Sequence, residues 1–190
     1  PQTSQLFHNA VNDLIHIRTV KGLVIDFRMN FGGNFAYGNG GLSQLFNFDP
    51  TSNLGTAFRG SSSDCMSFSF GSAPSPITPG TIYDHPIAVL IGPGCFSVGD
   101  YNARRLRFHP MARLFGKPTN GAFVAGYSIT GSLSGGWEYR IPTAMVYSNV
   151  PGEGYMMHKG VQPDEEVWLT RNGVANGEDD VVKRALAWMD

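Results

Sequence analysis

A chain of 190 residues with a net charge of −1 and 15% charged side chains can bury one substantial core, and it offers no basic cluster to nucleic acid. Hydrophobic residues make up 42%, yet no apolar run approaches the ~20 residues that span a bilayer as a helix. Its two cysteines, Cys65 and Cys95, form no C-x-x-C pair, so neither a metal nor a redox cofactor is expected.

The first predicted element is an amphipathic helix over 5–17. Leu6, Phe7, Ala10, Val11, Leu14 and Ile15 recur at helical spacing, with His8 and His16 on the solvated side. Residues 23–27 then have the length and β-branched content of a buried strand. Gly32-Gly33 follows, where paired glycines permit positive φ and bring bare N–H groups close to a ligand. Alone, such a pair is an ordinary turn. Residues 34–85 are rich in Gly, Ser, Asn and Pro. Within them a short helical piece is expected at 42–48, a strand with Met66, Phe68 and Phe70 on one face, and an irregular proline-containing loop over 72–80. An apolar strand face beside a long loop suits a groove for an extended peptide and equally a pocket for a hydrophobic small ligand.

Residues 86–91 predict a fully buried strand and 100–108 a helix, joined by Gly92-Pro-Gly-Cys-Phe-Ser-Val-Gly-Asp100. A hydroxyl at this corner is held on a stiff scaffold beside the free N–H groups of a helix start, where an oxyanion would be stabilised. Ser97 is therefore a candidate nucleophile; the plainer alternative is that it caps the helix. Cys95 is read as a packed thiol, with a nucleophilic role as its alternative. His85 is expected in a loop, and His109 lies at the far end of the Ser97 helix, about 18 Å away and out of proton-transfer reach. Strands are expected at 111–115, 124–129 and 137–141, with a hairpin connection at 133–136. A helix over 179–189 closes the chain, burying Val182, Ala185, Leu186 and Met189, with Asp179 and Asp180 favouring the dipole at its start. Alternating strands and helices indicate an α/β fold.

Four ordered motifs carry a resemblance. Gly22-Leu-Val-Ile-Asp-Phe-Arg-Met-Asn-Phe-Gly-Gly33 is similar, nearly position by position, to the Gly-Leu-Ile-Leu-Asp-Leu-Arg-x-Asn-x-Gly-Gly strand of the tail-specific, or C-terminal processing, serine peptidases. Ser97-Val-Gly-Asp100 resembles their Ser-Ala-Ser-Glu, with Asp for Glu. Gly116-Lys-Pro-Thr-Asn-Gly121 resembles their Gly-Glu-Pro-Thr-Phe-Gly, and Gly160-Val-Gln-Pro-Asp164 their Gly-Val-x-Pro-Asp. The resemblance extends to the tricorn core protease and the interphotoreceptor retinoid-binding protein repeats. It implies a crotonase-like β–β–α spiral, a polypeptide substrate, Ser97 as nucleophile, and an oxyanion hole drawn from Gly32, Gly33 and Val98. It also implies that residues 1–190 form one catalytic core without the upstream PDZ or cap regions of typical members. A periplasmic or secreted setting fits it better than a cytoplasmic one, and homo-oligomerisation is left open.

One departure bears on the chemistry. The general base of the processing peptidases is a Lys directly after the Thr-Phe-Gly triplet, and Ala122 occupies that position. Lys117 and Lys159 read as solvated turn lysines. The tricorn-like branch uses a Ser, a His, a second Ser and a Glu; its Glu position falls on Met157, with His158 beside it and Glu153 four residues away. A serine hydroxyl needs a base to remove its proton, and neutral His can do so. His158 is the one histidine in a segment that the family brings to the active site; the alternatives are a group outside this chain and a packing or solvated role for His158. Three functions follow: a serine endopeptidase, a non-catalytic hydrophobic-ligand module of the same fold, or a structural core fragment.

Overall fold

The computed structural model describes residues 2–60, 67–72, 76–123, 128–142 and 144–190. In chain order, α1 (Gln2–Asn12) runs into a π-helical turn (Asp13–Ile17), then β1 (Leu23–Asp26), α2 (Ala36–Leu42), a 3-10 turn (Pro50–Asn53), β2 (Thr56–Gly60) and β3 (Ser67–Ser72). The second half holds β4 (Ile87–Ile91), α3 (Val98–Arg107), β5 (Ala112–Gly116), β6 (Ser128–Ser132), β7 (Glu138–Pro142), β8 (Met145–Tyr147), β9 (Glu165–Glu166), α4 (Arg171–Ala175) and α5 (Asp180–Met189). The architecture is mixed α/β around a parallel sheet ordered β1-β4-β5-β9. An antiparallel sheet ordered β3-β2-β8 and a β6-β7 hairpin complete the strands.

β4 shows why a continuous apolar run becomes a central strand. All five of its residues are fully buried, because helices cover both faces of the parallel sheet. Ile87, Val89 and Ile91 pack into the larger core with Leu45, Phe46 and Leu106. Ala88 and Leu90 point the other way, onto Phe115, Val181 and Ala185. The two active-loop strands, β1 and β4, are thus neighbours in register, Leu23 opposite Ile87 and Asp26 opposite Leu90. Both end on the same edge of the sheet, where ligands of open parallel sheets collect.

Several expectations need correction. The helical piece predicted at 42–48 lies earlier, at α2, and spans Gly38, Gly40 and Gly41, since close packing against α1 outweighs the low helix propensity of glycine. A Cβ at Gly41 would sit 2.3 Å from the Phe7 ring. In α1, Leu6 is exposed and His8 is part-buried, its Nδ1 3.0 Å from the Gly40 carbonyl. In α5, Val181 and Ala185 are buried and Leu186 is exposed, so the inward face is rotated by a residue from the predicted one. Asp179 caps that helix, accepting from the N–H groups of Val181 and Val182. β2, β8, β9 and α4 carry no clear periodicity and are found only in the structure. Phe68 and Phe70 fall in β3; their side chains, Met66 and residues 73–75 and 124–127 of the predicted loop and strand lie outside the described residues.

Candidate active site

The corner after β4 has the geometry that a presented hydroxyl requires. Ser97 has φ 59° and ψ −119°, a conformation costly for a residue with a Cβ. It occupies the N-cap position of α3, but its side chain makes no capping hydrogen bond. The cap reading therefore fails: Ser97 is half-buried and its hydroxyl makes no hydrogen bond among the described residues, while its backbone turn is held by other groups.

The chief of those groups is Asp100, fully buried in the first turn of α3. Its carboxylate accepts from the Gly121 N–H at 2.9 Å and the Ala122 N–H at 3.0 Å, and also from the Ser97 N–H and the Thr119 hydroxyl. Ser-x-x-Asp is thus half of a capping box: the acid reaches back to the N-cap amide, while the serine oxygen does not reciprocate. Burial pushes the Asp100 carboxyl above its ordinary range, against the pull of these four donors. The same carboxylate stitches the Gly116–Gly121 motif to the serine corner.

The glycine turn after β1 closes on this corner by direct backbone contact. A Cβ on Gly32 would lie 2.8 Å from Ser97 Cβ, and one on Gly99 would lie 2.4 Å from the Asn30 carbonyl oxygen. A Cβ on Gly94 would lie 2.6 Å from the Arg28 carbonyl oxygen. The Phe96 N–H donates to the Asn30 carbonyl at 3.1 Å. The Asn30 side chain also accepts from the Gly32 N–H at 3.0 Å. Of the two turn glycines, it is therefore Gly33 whose N–H has no acceptor among the described residues, with open space around its Cα. Val98, the first residue of α3, has no intrahelical acceptor for its N–H. Gly32 thus acts as the spacer against Ser97.

Arg28 anchors the turn from behind, paired with Asp26 at 2.7 Å and with the Asp179 cap of α5 at 2.8 Å. Beside the turn opens a cavity of about 490 Å3 between α1 and β1. Val11, Leu14, Leu23 and Phe27 line it, and Gly32 and Val98 form its end at the serine corner.

The loop of the last motif docks on the same place. The His158 N–H donates to the Gly121 carbonyl at 3.0 Å, and the Val161 N–H to the Thr119 hydroxyl at 2.7 Å. His158 has φ 64°, and its exposed ring makes no hydrogen bond to Ser97 or any other described residue. Ala122 supplies no basic group. Lys117 lies over the Trp168 ring at 5.4 Å, and Lys159 is exposed. The Glu153 carboxylate is bound by Arg104 and the Ser148 hydroxyl. These contacts outweigh burial and hold it below the usual range.

The other histidines stand apart from the corner. His109 is buried, edge-on to Phe46, with Nε2 2.9 Å from the Leu45 carbonyl, and burial lowers its basicity. His16 and His85 are exposed. The Cys95 thiol is buried and free, and burial pushes it far above the ordinary thiol range, which leaves it a packing group. Cys65 lies outside the described residues. Among the described residues no cluster of ligating side chains could hold a metal ion, and no helix is long and apolar enough to cross a membrane.

A serine in a left-handed conformation, uncapped and beside a glycine turn, thus sits at the carboxyl edge of the parallel sheet. The chain belongs to peptidase family S41, whose sequence profile matches residues 2–167. Among solved structures it resembles a candidate peptidase from Parabacteroides merdae (TM-score 0.74, 21% identity, covering 96% of this chain and 56% of the other). It also resembles mature CPAF in complex with lactacystin (TM-score 0.71, 15% identity, 98% and 46%). A third is the photosystem II D1 C-terminal processing protease (TM-score 0.60, 21% identity, 87% and 39%). At these identities the likeness is one of fold, and the chain spans about half the length of the structures it matches. No curated protein matches it by sequence.

Proposed function

We propose that this chain is the catalytic core of a serine endopeptidase of the tail-specific type, acting through an acyl-enzyme on Ser97. The observation that carries the reading is the Ser97 corner: a left-handed serine that makes no capping bond, with Gly32 packed so close that a Cβ there would meet Ser97 Cβ at 2.8 Å, and the Val98 N–H beside it. The hydroxyl oxygen adds to a peptide carbonyl as its proton passes to a base. The carbonyl oxygen becomes an oxyanion, received by the N–H groups of Val98 and Gly33. Collapse breaks the C–N bond, the leaving amine takes the proton, and water then hydrolyses the ester.

Gly32 and Asn30 hold the turn that aims Gly33, and Asp100 holds the backbone that aims Ser97. With Ala122 in the lysine position, the base is His158, which its loop carries to Gly121, or a residue outside this chain. We further read residues 1–190 as a single core of crotonase-like spiral. The β4–α3–β5 crossover and the packing of α5 on β4 and Phe115 support this reading.

The experiment is reaction with a fluorophosphonate, whose adduct mimics the tetrahedral intermediate. Labelling at Ser97 that disappears in Ser97→Ala is expected. Absence of labelling, together with tight binding of a hydrophobic ligand, would establish the second reading: a ligand-binding relative using the 490 Å3 cavity between α1 and β1. That cavity and Ala122 are the observations in its favour.

A further inference from the structure

We propose that the free edge of β7 is an interface for a second copy of this chain, the two β7 strands running antiparallel about a two-fold axis at Tyr139. The inference is independent of the chemistry at Ser97.

The β6-β7 hairpin is incomplete by itself. It is a sheet of two strands, whereas three or more are needed for independent stability in water. Every residue of β7 is exposed. The run Trp137-Glu-Tyr-Arg-Ile141 nevertheless alternates as a half-covered strand does. Trp137, Tyr139 and Ile141 share one face with Leu133, and the Trp137 side chain is 74% exposed. Tyr139 lies across Gly131, where a Cβ would come within 2.3 Å of its ring. Glu138 and Arg140 share the opposite face, across from Ser132 and Thr130, and among the described residues neither has an ion pair.

The ladder decides which backbone groups are open. The Leu133 N–H donates to the Trp137 carbonyl at 2.7 Å. Because antiparallel bonding alternates, Trp137, Tyr139 and Ile141 turn their backbone groups toward β6, and Glu138 and Arg140 turn theirs to the free edge. A two-fold axis at Tyr139 sets Glu138 against Arg140 of the partner subunit, and Arg140 against Glu138 of the partner subunit. Their backbone groups then exchange hydrogen bonds, and their side chains bring opposite charges together on one face. On the other face Trp137 meets Ile141 of the partner subunit, and the two Tyr139 rings meet at the axis.

Other registers fail. An axis at Glu138 or at Arg140 sets like charges face to face, and one at Arg140 also puts Pro142, which has no N–H, opposite Glu138. A slip of one residue turns the apolar face over. β6, with Ser-Ile-Thr-Gly-Ser, offers no charge to fix a register. A single strand pair buries less than the ~1,000 Å2 of a permanent complex, so the dimer is reversible, with a Kd of about 10–100 µM.

The test is sedimentation velocity on this chain from about 5 to 500 µM, with circular dichroism confirming the fold of each variant. Monomer is expected at the low end and dimer at the high end. Glu138→Arg and Arg140→Glu, each alone, set like charges opposite each other and should weaken the dimer at least about tenfold. The double exchange Glu138→Arg/Arg140→Glu restores opposite charges in the same register and should return the Kd to within about threefold of the parent. A chain that stays monomeric throughout overturns the proposal. A dimer that either single reversal leaves intact lies on another face and overturns it too, as does a double exchange that fails to restore association.

Discussion

Replacing Gly32 by Ala tests the join between the two active loops. The added Cβ would meet Ser97 Cβ at 2.8 Å, the Phe96 carbonyl oxygen at 2.9 Å and the Val98 nitrogen at 3.1 Å, where ordinary contact begins at 3.4 Å. Two of these three atoms are backbone and the third is fixed to it, so no side-chain rotation relieves the clash. The loops must separate by about half an ångström or more. Gly32 also has φ 84°, which adds strain of about 1–2 kcal/mol for any residue with a Cβ. Gly177 supplies the control: φ 70°, no atom within 4 Å of its would-be Cβ, and a place outside the serine corner. Gly177→Ala reports backbone strain alone, about 1–2 kcal/mol in urea unfolding. Gly32→Ala should cost about 1–3 kcal/mol more than this, the range for overpacking. Its fluorophosphonate labelling rate should fall by roughly a hundredfold, because a displacement near 1 Å at a reacting centre has that effect. The reasoning is refuted if Gly32→Ala labels at the rate of Gly177→Ala and the two unfold alike.

Other outcomes follow from the same structure. His158→Ala should lower the labelling rate about a hundredfold with urea unfolding unchanged if the chain carries its own base; an unchanged rate removes His158 from the mechanism. Asp100→Ala strands the amides of Ser97, Gly121 and Ala122 in a buried site and should destabilise by about 3 kcal/mol or more in urea. The Asp100 carboxyl is raised in the folded protein, so the native state binds more protons than the unfolded chain between the two pKa values. The Asp100 contribution to stability should therefore fall as pH rises from ~4 through the folded pKa, and Asp100→Asn should flatten that slope in unfolding scans against pH. Leu90→Ala removes a fully buried side chain facing Phe115, Val181 and Ala185 and should cost about 2–5 kcal/mol by urea titration.

Much of the framework was legible along the chain. The apolar runs that became β1 and β4, the Ser97 helix and the closing helix each carry a periodicity or a breaker pattern that needs no partner to be read. Hydrophobic spacing is a local property, and so are the low tolerance of strands for glycine and the preference of acidic residues such as Asp179 and Asp180 for a helix start. The motif spacing also identified the Ser97 corner and the Gly32-Gly33 turn. The weak elements, β2, β8, β9 and α4, left no such trace. Their pairing is made by distant partners, as when Ala57 of β2 lies opposite Val146 of β8. α2 was misplaced because its glycines are selected by contacts across the chain, Gly41 with Phe7 and Gly38 with Asn102.

The residue types at the site were determined by the sequence alone: a serine between a strand and a helix, two glycines after another strand, an alanine at 122. Their roles depended on tertiary contacts. That Ser97 caps nothing follows from a backbone conformation that Asp100 holds through amides more than twenty residues away. That Gly33 rather than Gly32 has an N–H without an acceptor among the described residues follows from where the Asn30 side chain turns, one of several local bonds its sequence permits. Leu186 and Val181 exchanged inward and outward places because a helix pattern leaves its rotation open by a residue, and only the surface it packs on selects the face. Hydrogen bonds and close contacts depend on distances in space, whereas periodicity depends on distances along the chain. The chain therefore announced which groups are present, and folding decided which of them are free to act.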